Sequence, residues 1–273
     1  MKHYEIVSKR DKPIHIDVNF SKYKNKPIVI FSHGFKGFKD WGPFNYISKF
    51  FSESNINFLK FNFSHNGVSL KKCGYFSDLE LFGNNNLSIE IEDLHSVIEW
   101  VSTKLINKVN TRKIYLMGHS RGGSISILVA SSNKKIKKLV TWASVSDFEK
   151  RIVNDRIEIW RKKGVVYVYN SRTNQQMPLY YQFYEDFIAH EARLTISNSV
   201  SSLKIPYLII HGAEDESVAL SEAKALHSWS KHSTLCIISK ANHVFSTKQP
   251  WTNPKIPLEL EQVFAKTIDF INN

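Results

Sequence analysis

The sequence predicts an α/β fold in which a mostly parallel central sheet is flanked by helices. Short apolar runs, such as residues 28–31 and 114–117, alternate along the chain with segments of helical period. Strands that alternate with helices favour parallel pairing through crossover connections. The apolar runs are continuous, as expected of strands that helices cover on both faces.

The sheet is expected to contain six strands of this kind and an additional edge hairpin. The hairpin is predicted over residues 4–7 and 14–20, and we expect it to be antiparallel. The six strands are predicted at residues 28–31, 57–63, 114–117, 139–143, 206–210 and 234–238.

Helices are predicted between these strands. Apolar residues recur at helical spacing from Ile91 to Leu105, and Glu90, Glu92 and Asp93 lie near the start, where the helix dipole favours acids. Further helices are predicted over residues 124–130 and 218–229, and from near Pro257 to the end.

The regular alternation stops between about residues 147 and 203, which we interpret as a cap insertion lying over the edge of the sheet. A helix over 152–160, a strand over 165–169 and a helix over 180–191 are predicted there. The segment is rich in aromatic residues. They are expected to form a small satellite core, with some rings facing a pocket.

Composition points to an ordinary globular protein, with 42% hydrophobic and 23% charged residues. We expect the 273 residues to form a single α/β domain, 1–273, that includes the cap insertion. Cys73 and Cys236 are far apart and have no metal-ligand spacing, which indicates free thiols in a reducing compartment. The N-terminus lacks the apolar core of a signal peptide, and no run approaches the ~18 apolar residues of a membrane span. We therefore expect a cytoplasmic protein.

The net charge of +12 does not predict nucleic-acid binding. The basic residues fall into separate clusters, such as 134–138 and 161–163, instead of one stripe with interleaved aromatic residues. A small-molecule partner is expected, and a homodimer remains open.

The strongest functional signal is Gly118-His119-Ser120-Arg121-Gly122, which matches G-x-S-x-G. It follows a predicted strand and precedes a predicted helix, as a nucleophile elbow requires. The turn would expose the Ser120 hydroxyl beside the positive end of a helix. We predict Ser120 as a nucleophile; the alternative is a structural serine in an ordinary turn.

A serine nucleophile needs a base, and the base needs an orienting acid. Asp215 follows the strand at 206–210 and His243 follows the strand at 234–238, so both would lie at the carboxyl edge of the sheet. The order Ser, Asp, His is that of α/β-hydrolases. Asp147 is the main alternative acid, and Glu214 and Glu216 flank Asp215.

Structural or supporting roles are predicted for His211, His119 and His33. No H-E-x-x-H or similar pattern indicates a metal, and no cofactor is expected. Two amides are required to bind a developing oxyanion. The backbone N–H of Arg121 is one candidate, and that of Phe35, in the loop after the strand at 28–31, is the other.

Four segments together resemble the α/β-hydrolase superfamily: His33-Gly34-Phe35, Gly118 to Gly122, His211-Gly212 with Asp215, and Asn242-His243. The details are similar to small cytoplasmic bacterial esterases related to cinnamoyl (feruloyl) esterases, dienelactone hydrolases, and serine aminopeptidase-like or monoacylglycerol-lipase-like members. The resemblance implies a triad of Ser120, Asp215 and His243 and a cap that controls substrate access. Arg121 departs from the pattern, because many relatives have a small or neutral residue there; its side chain would form a structural ion pair or meet an anionic substrate.

Hydrolysis of a carboxylic ester through an acyl-enzyme is therefore predicted. A peptidase or thioesterase with the same machinery, and a catalytically silent ligand-binding member, are the alternatives. An exopeptidase would need acids for the free amine of its substrate, and Glu158, Glu185 and Asp186 are the candidates near the cap.

Overall fold

The computed structural model describes residues 1–70, 74–152 and 156–273. Ten strands are found in these ranges. They are β1 (Lys2–Val7), β2 (Pro13–Asn19), β3 (Ile28–Ser32), β4 (Asn57–Phe61), β5 (Ile114–His119), β6 (Ile136–Trp142), β7 (Val165–Asn170), β8 (Gln175–Tyr180), β9 (Tyr207–Gly212) and β10 (Ser233–Ile238).

The same ranges contain ten α-helices and a short 3₁₀ turn at Glu149–Arg151. The helices are α1 (Phe44–Glu53), α2 (Leu79–Gly83), α3 (Leu87–Lys104), α4 (Arg121–Ser132), α5 (Ile157–Lys163), α6 (Gln182–Ala189), α7 (Glu191–Leu194), α8 (Ile196–Ser202), α9 (Leu220–Trp229) and α10 (Leu258–Asn272).

Eight strands form one sheet in the order β1-β2-β4-β3-β5-β6-β9-β10. The pairs from β4 to β10 are parallel, whereas β2 is antiparallel to both β1 and β4. The predicted mostly parallel sheet and the antiparallel edge hairpin are thus confirmed.

Alternate residues of the central strands face opposite sides of the sheet and join different apolar clusters. Ile114 and Leu116 of β5 belong to the cluster that includes side chains of α3 and α4, whereas Tyr115 and Met117 belong to the cluster of α1 and α10. Both faces of β5 are therefore buried, which explains its continuous apolar sequence.

The strand order reverses at β3. The chain passes from β3 to its neighbour β4 and then crosses to β5 on the other side of β3. In open parallel sheets, the carboxyl ends of the strands at such a reversal border a crevice where ligands bind. The loops after β3 and β5, which carry Phe35 and Ser120, meet at this point.

Between β6 and β9 lie α5 to α8 and the two-stranded antiparallel sheet of β7 and β8. The helix predicted over 152–160 was misplaced: α5 covers Ile157–Lys163, and residues 153–155 lie outside the described ranges. Strand β8 was not predicted, because its sequence QQMPLY begins with two polar residues and contains a proline. The helix predicted from residue 180 begins two residues later, at Gln182.

Of the two cysteines, Cys236 is a free thiol on β10, and Cys73 lies outside the described residues. In the described part of the chain, we find no helix that combines the length and apolar character needed to cross a membrane.

A buried cluster of charges fastens the loop after β3 to the sheet. Lys60 on β4 is the cross-strand partner of Asp17 on β2, and its Nζ lies 2.8 Å from Asp17 Oδ2. From the loop, Lys39 Nζ lies 2.7 Å from the same oxygen, and Asp40 binds both ammonium groups. Burial alone would raise the pKa of Asp17, but Lys60 and Lys39 outweigh it and lower the pKa to about 2.

The free energy of unfolding is therefore expected to depend on pH through Asp17. Its carboxyl has an ordinary pKa of 3.8, which the folded chain lowers to about 2. The folded carboxylate contributes about 2 kcal/mol above about pH 4, and this contribution is lost as the pH falls toward about 2. Urea titrations should show that Asp17→Asn is less stable at neutral pH and that its stability declines less steeply across this window.

Glu53→Gln is the matched control, because Glu53 is exposed and pairs with Lys49 at 3.7 Å on the surface of α1. Its stability should follow the wild-type dependence on pH. An equally steep acid decline in Asp17→Asn would contradict the assignment of this pH dependence to the buried cluster.

Candidate active site

Ser120 forms the turn between β5 and α4 in a backbone geometry that non-glycine residues rarely adopt. Its φ is 55° and its ψ is −125°, which costs on the order of 1–3 kcal/mol. The N–H of Ser120 donates to the carbonyl of Trp142 at 2.9 Å, and its own carbonyl accepts from Gly123 N–H at 2.9 Å. These bonds hold the serine at the N-terminus of α4.

Glycines at both ends of the turn allow close backbone contacts. A Cβ on Gly118 would lie 2.2 Å from the carbonyl oxygen of Gly122. A Cβ on Gly122 would lie 2.3 Å from the carbonyl oxygen of Ser32, at the end of β3. Because real Cβ atoms do not approach oxygens so closely, a side chain at either position would force the backbone apart.

Asp215 and His243 come together at the carboxyl ends of the neighbouring strands β9 and β10. The Nδ1–H of His243 donates to Asp215 Oδ2 at 2.8 Å. The Asp215 side chain is fully buried, whereas 19% of the His243 side chain is exposed. The imidazole therefore has one nitrogen fixed by a buried carboxylate, which leaves Nε2 as the acceptor in the neutral ring.

The loop after β9 keeps Asp215 ionised. Its Oδ1 accepts the N–H groups of Ser217 at 2.9 Å and Val218 at 2.8 Å. Burial would raise the pKa of Asp215, but hydrogen bonds from His211 and His243 and the Val218 N–H outweigh it and hold the pKa well below its ordinary value. A carboxylate is thus available to stabilise a positive charge on His243.

Sequence reasoning missed that His211 also faces Asp215. Its Nε2–H donates to the carbonyl of Val218 at 2.8 Å and lies 3.3 Å from Asp215 Oδ2. The signal was present in the sequence, because His211 lies near the end of β9 and precedes Asp215 by only four residues.

His119 supports the loop that carries His243. Its Nε2–H donates to the main-chain carbonyl of His243 at 2.9 Å, and the two ring centroids are 4.8 Å apart. Burial, together with the nearby His243, lowers the pKa of His119 to about 3. The His119 ring is therefore neutral near pH 7 and bonds to backbone without adding a charge.

His33 shapes the loop that carries Phe35. It is buried, its Nδ1–H donates to the carbonyl of Gly34 at 2.9 Å, and its Nε2 accepts the N–H of Phe63 at 3.4 Å. Burial lowers the pKa of His33 to about 4. The neutral ring is thus bonded to main-chain groups on both sides.

The backbone N–H groups of Phe35 and Arg121 lie in adjoining loops and, within the described structure, are free to donate to a ligand, as oxyanion donors must be. Ser32 at the end of β3 pairs with Gly118 of β5, so the two loops run side by side. A Cβ on Gly34 would lie 2.9 Å from Ser120 Cβ. Among the described residues, neither the Phe35 nor the Arg121 N–H donates to a protein acceptor.

Phe35, Ser120, Arg121 and His243 line one cavity of about 370 Å³. Its other walls are mostly apolar and come largely from the segment between β6 and β9. They include Val145, Phe148, Ile152, Trp160, Val166, Tyr167, Val168, Leu179, Phe183 and Val218.

Of the predicted amine-binding acids, none lines this cavity within the described ranges. Glu158 pairs with Arg161 at 2.7 Å, and Asp186 accepts the N–H of Ser88 at 3.1 Å. Glu185 lines a separate surface depression. The basic residues of the cavity wall are Arg121, Arg151 and Arg156.

The alternative acid, Asp147, has other partners. Its Oδ1 accepts the N–H of Glu149 at 2.8 Å, and its Oδ2 lies 3.9 Å from Lys150 Nζ. His243 instead bonds to Asp215. Across residues 1–70, 74–152 and 156–273, no group of three or more His, Cys, Asp or Glu side chains is arranged to hold a metal.

The sheet topology, the strained turn at Ser120 and the Asp215–His243 pair define an α/β-hydrolase. Solved structures of this fold superpose on nearly the whole chain. Est1E from Butyrivibrio proteoclasticus, which has also been solved with ferulic acid bound, covers 100% of this chain and 98% of its own, with a TM-score of 0.72 and 17% identity. The α/β hydrolase GrgF from Penicillium sp. sh18 covers 99% and 97%, with a TM-score of 0.72 and 18% identity.

Within this class, the sequence profile of the BD-FAE family matches residues 77–230, more than half of the chain, and the chain belongs to that family. A Mycoplasma pneumoniae protein described as an esterase/lipase is 28% identical over 142 residues. This match covers 52% of the chain but only 46% of that relative, so the chain spans about half of the length of the relative. The predicted resemblance to esterase-like α/β-hydrolases is confirmed.

The contact between the two loops predicts a sharp effect of Gly122→Ala. The added methyl group would lie 2.3 Å from Ser32 O and 2.4 Å from His33 O. We expect the free energy of unfolding to fall by about 2–3 kcal/mol, because the main chain must move. Differential scanning calorimetry and a urea titration would measure this change.

Ser132→Ala, at the other end of α4, is the control and should change stability by less than about 0.5 kcal/mol. Its hydroxyl makes only 3.3 Å bonds to carbonyls of its own helix. If Gly122→Ala were as stable as this control, the close approach would not constrain the turn.

Proposed function

We propose that this protein is a serine hydrolase that cleaves carboxylic esters through an acyl-enzyme intermediate. The main support is that His243 is bonded through Nδ1 to a buried carboxylate at 2.8 Å and that His243 and Ser120 line the same cavity. Ser120 is the nucleophile, His243 the general base and Asp215 the group that orients the base.

In the first half of the reaction, Ser120 Oγ attacks the ester carbonyl carbon and its proton passes to His243 Nε2. The Asp215 carboxylate stabilises the resulting imidazolium without taking its proton. The tetrahedral intermediate then expels the alcohol oxygen, which receives the proton from His243. The products of this half are the free alcohol and an acyl ester on Ser120.

In the second half, water attacks the acyl carbon and gives a proton to His243. The second tetrahedral intermediate collapses, Ser120 Oγ leaves and recovers the proton, and the carboxylic acid is released. Both intermediates carry an oxyanion, which the N–H groups of Phe35 and Arg121 stabilise. Neither amide has another acceptor among the described residues, so both are available for this role.

The character of the cavity favours a small ester with an apolar acyl group. Its walls are mostly apolar, and its charged residues within the described ranges are arginines. An aminopeptidase would require a carboxylate there to bind the free amine of its substrate. We further propose that the segment 147–203 forms a cap that controls access, because its described residues supply most of the lining of this cavity.

The test of this proposal is the replacement Ser120→Ala, assayed with p-nitrophenyl esters of increasing acyl length. We expect the wild-type protein to hydrolyse the esters and Ser120→Ala to lose turnover by about 10⁴-fold or more, because the acyl-enzyme cannot form. Release of p-nitrophenolate would be followed spectrophotometrically.

Ser228→Ala is the matched control, since Ser228 is exposed on α9 and, within the described part of the chain, its hydroxyl bonds only to the carbonyl of Ala225 at 2.8 Å. It should retain wild-type turnover. Full activity in Ser120→Ala would reject the nucleophile, and an inactive wild-type protein across the panel would support a silent ligand-binding member instead.

A further inference from the structure

The side chain of Arg121 contacts two different elements at the edge of the cavity. Its Nη2 lies 2.6 Å from Glu90 Oε1 on α3. Its Cζ lies 4.5 Å from the centroid of the Phe35 ring, in the loop after β3. The Arg121 side chain therefore contacts Phe35, so the two residues that carry the candidate oxyanion amides touch each other.

Glu90 holds the guanidinium firmly. Its side chain is only 3% exposed, compared with 14% for Arg121. Asn85 Nδ2 donates to the same oxygen, Glu90 Oε1, at 2.7 Å. Burial raises the pKa of Glu90, and the Arg121 guanidinium opposes this rise. A charge-assisted bond at this distance, shielded from water, fixes the position of both groups.

Phe35 also contacts an aromatic cluster formed by Phe82 and Phe76. Its ring centroid lies 5.7 Å from that of Phe82 on α2, and Phe82 lies 5.5 Å from Phe76. The Phe35 ring thus contacts both the Arg121 guanidinium and an aromatic cluster. Rotation of the Phe35 side chain would break these contacts, so together they favour one orientation of the residue.

We propose that the Arg121 side chain is a positioning group that keeps the Phe35 and Arg121 amides in a fixed relative arrangement. This role rests on the proposed serine-hydrolase function. Donors that are oriented before charge develops need not reorganise in the transition state, and this preorganisation lowers the barrier. Arg121 thereby acts through Phe35 and not by contacting the reacting atoms with its guanidinium.

The arrangement is specific to arginine. A planar, delocalised guanidinium can pair with a carboxylate through one edge while its face stacks on an aromatic ring. A lysine ammonium at the same position could pair with Glu90 but has no planar face for Phe35. Arg121→Lys therefore separates the charge from the stacking contact.

A double-mutant cycle with p-nitrophenyl butyrate tests this role. Arg121→Lys keeps a cation beside Glu90, and Phe35→Leu keeps the main-chain N–H but removes the ring. We expect each variant to lower kcat by about 10- to 100-fold and to change KM by less than about threefold. The combined variant should be no more than about threefold slower than the slower single variant, because both disrupt the same contact.

Two comparisons control for general effects on the fold. Arg10 is another arginine that pairs with α3, because its Nε lies 3.1 Å from Glu92 Oε2. Neither residue lines the cavity, so the Arg10→Lys variant should have wild-type kcat. Arg121→Met/Glu90→Leu removes both buried charges together, so that no unpaired carboxylate remains. It should show the same loss of kcat as Arg121→Lys, and its thermal unfolding would be measured alongside.

Wild-type kcat in Arg121→Lys, or in a folded Arg121→Met/Glu90→Leu variant, would overturn the positioning role. Losses that multiply in the combined Arg121→Lys/Phe35→Leu variant would also overturn it, because the two side chains would then act independently. Failure of the hydrolase proposal itself is distinguishable, since Ser120→Ala would then retain turnover in the same assay.

Discussion

The candidate site depends on how closely the turn after β5 approaches the loop after β3. Adjacent parallel strands bring Ser32 opposite Gly118, and Gly122 then lies against the carbonyl groups at the end of β3. This contact determines where the strained serine projects and which amides lie beside it. The loop that carries Phe35 consequently packs against the turn that carries Ser120 and against the first turn of α4. These contacts leave no room for a side chain at Gly118 or Gly122.

Three groups of buried charges near the site pair with partners on other elements and so help to fix the loops or the helix end beside it. Asp215 bonds to His243 and to two amides of its own loop. Glu90 fixes Arg121 beside the nucleophile, and the cluster around Asp17 and Lys60 fastens the loop that carries Phe35. Desolvated charges are costly unless paired, so each pair favours the backbone conformation that keeps its partners together. The ion pairs and the close backbone contacts thus stabilise the same arrangement of the loops around Ser120.

The fold was predictable because hydrophobic periodicity and the alternation of strands with helices depend on local sequence. The site candidates followed from motif spacing and from the strand after which each residue lies. Strand β8 was missed because its polar start and proline are stabilised by pairing with β7. Glu90 was interpreted only as an acid at a helix start, because its partner Arg121 is distant in the sequence and is brought near only by the packing of α3 against α4.

Covalent labelling would show whether Ser120 is an activated nucleophile. The protein would be treated with a fluorophosphonate, which reacts with activated serines, and the modified peptide identified by mass spectrometry. We expect one adduct, on Ser120, that does not form after replacement of His243. Labelling of another residue, or no adduct on the folded protein, would contradict the assignment of Ser120 as the nucleophile.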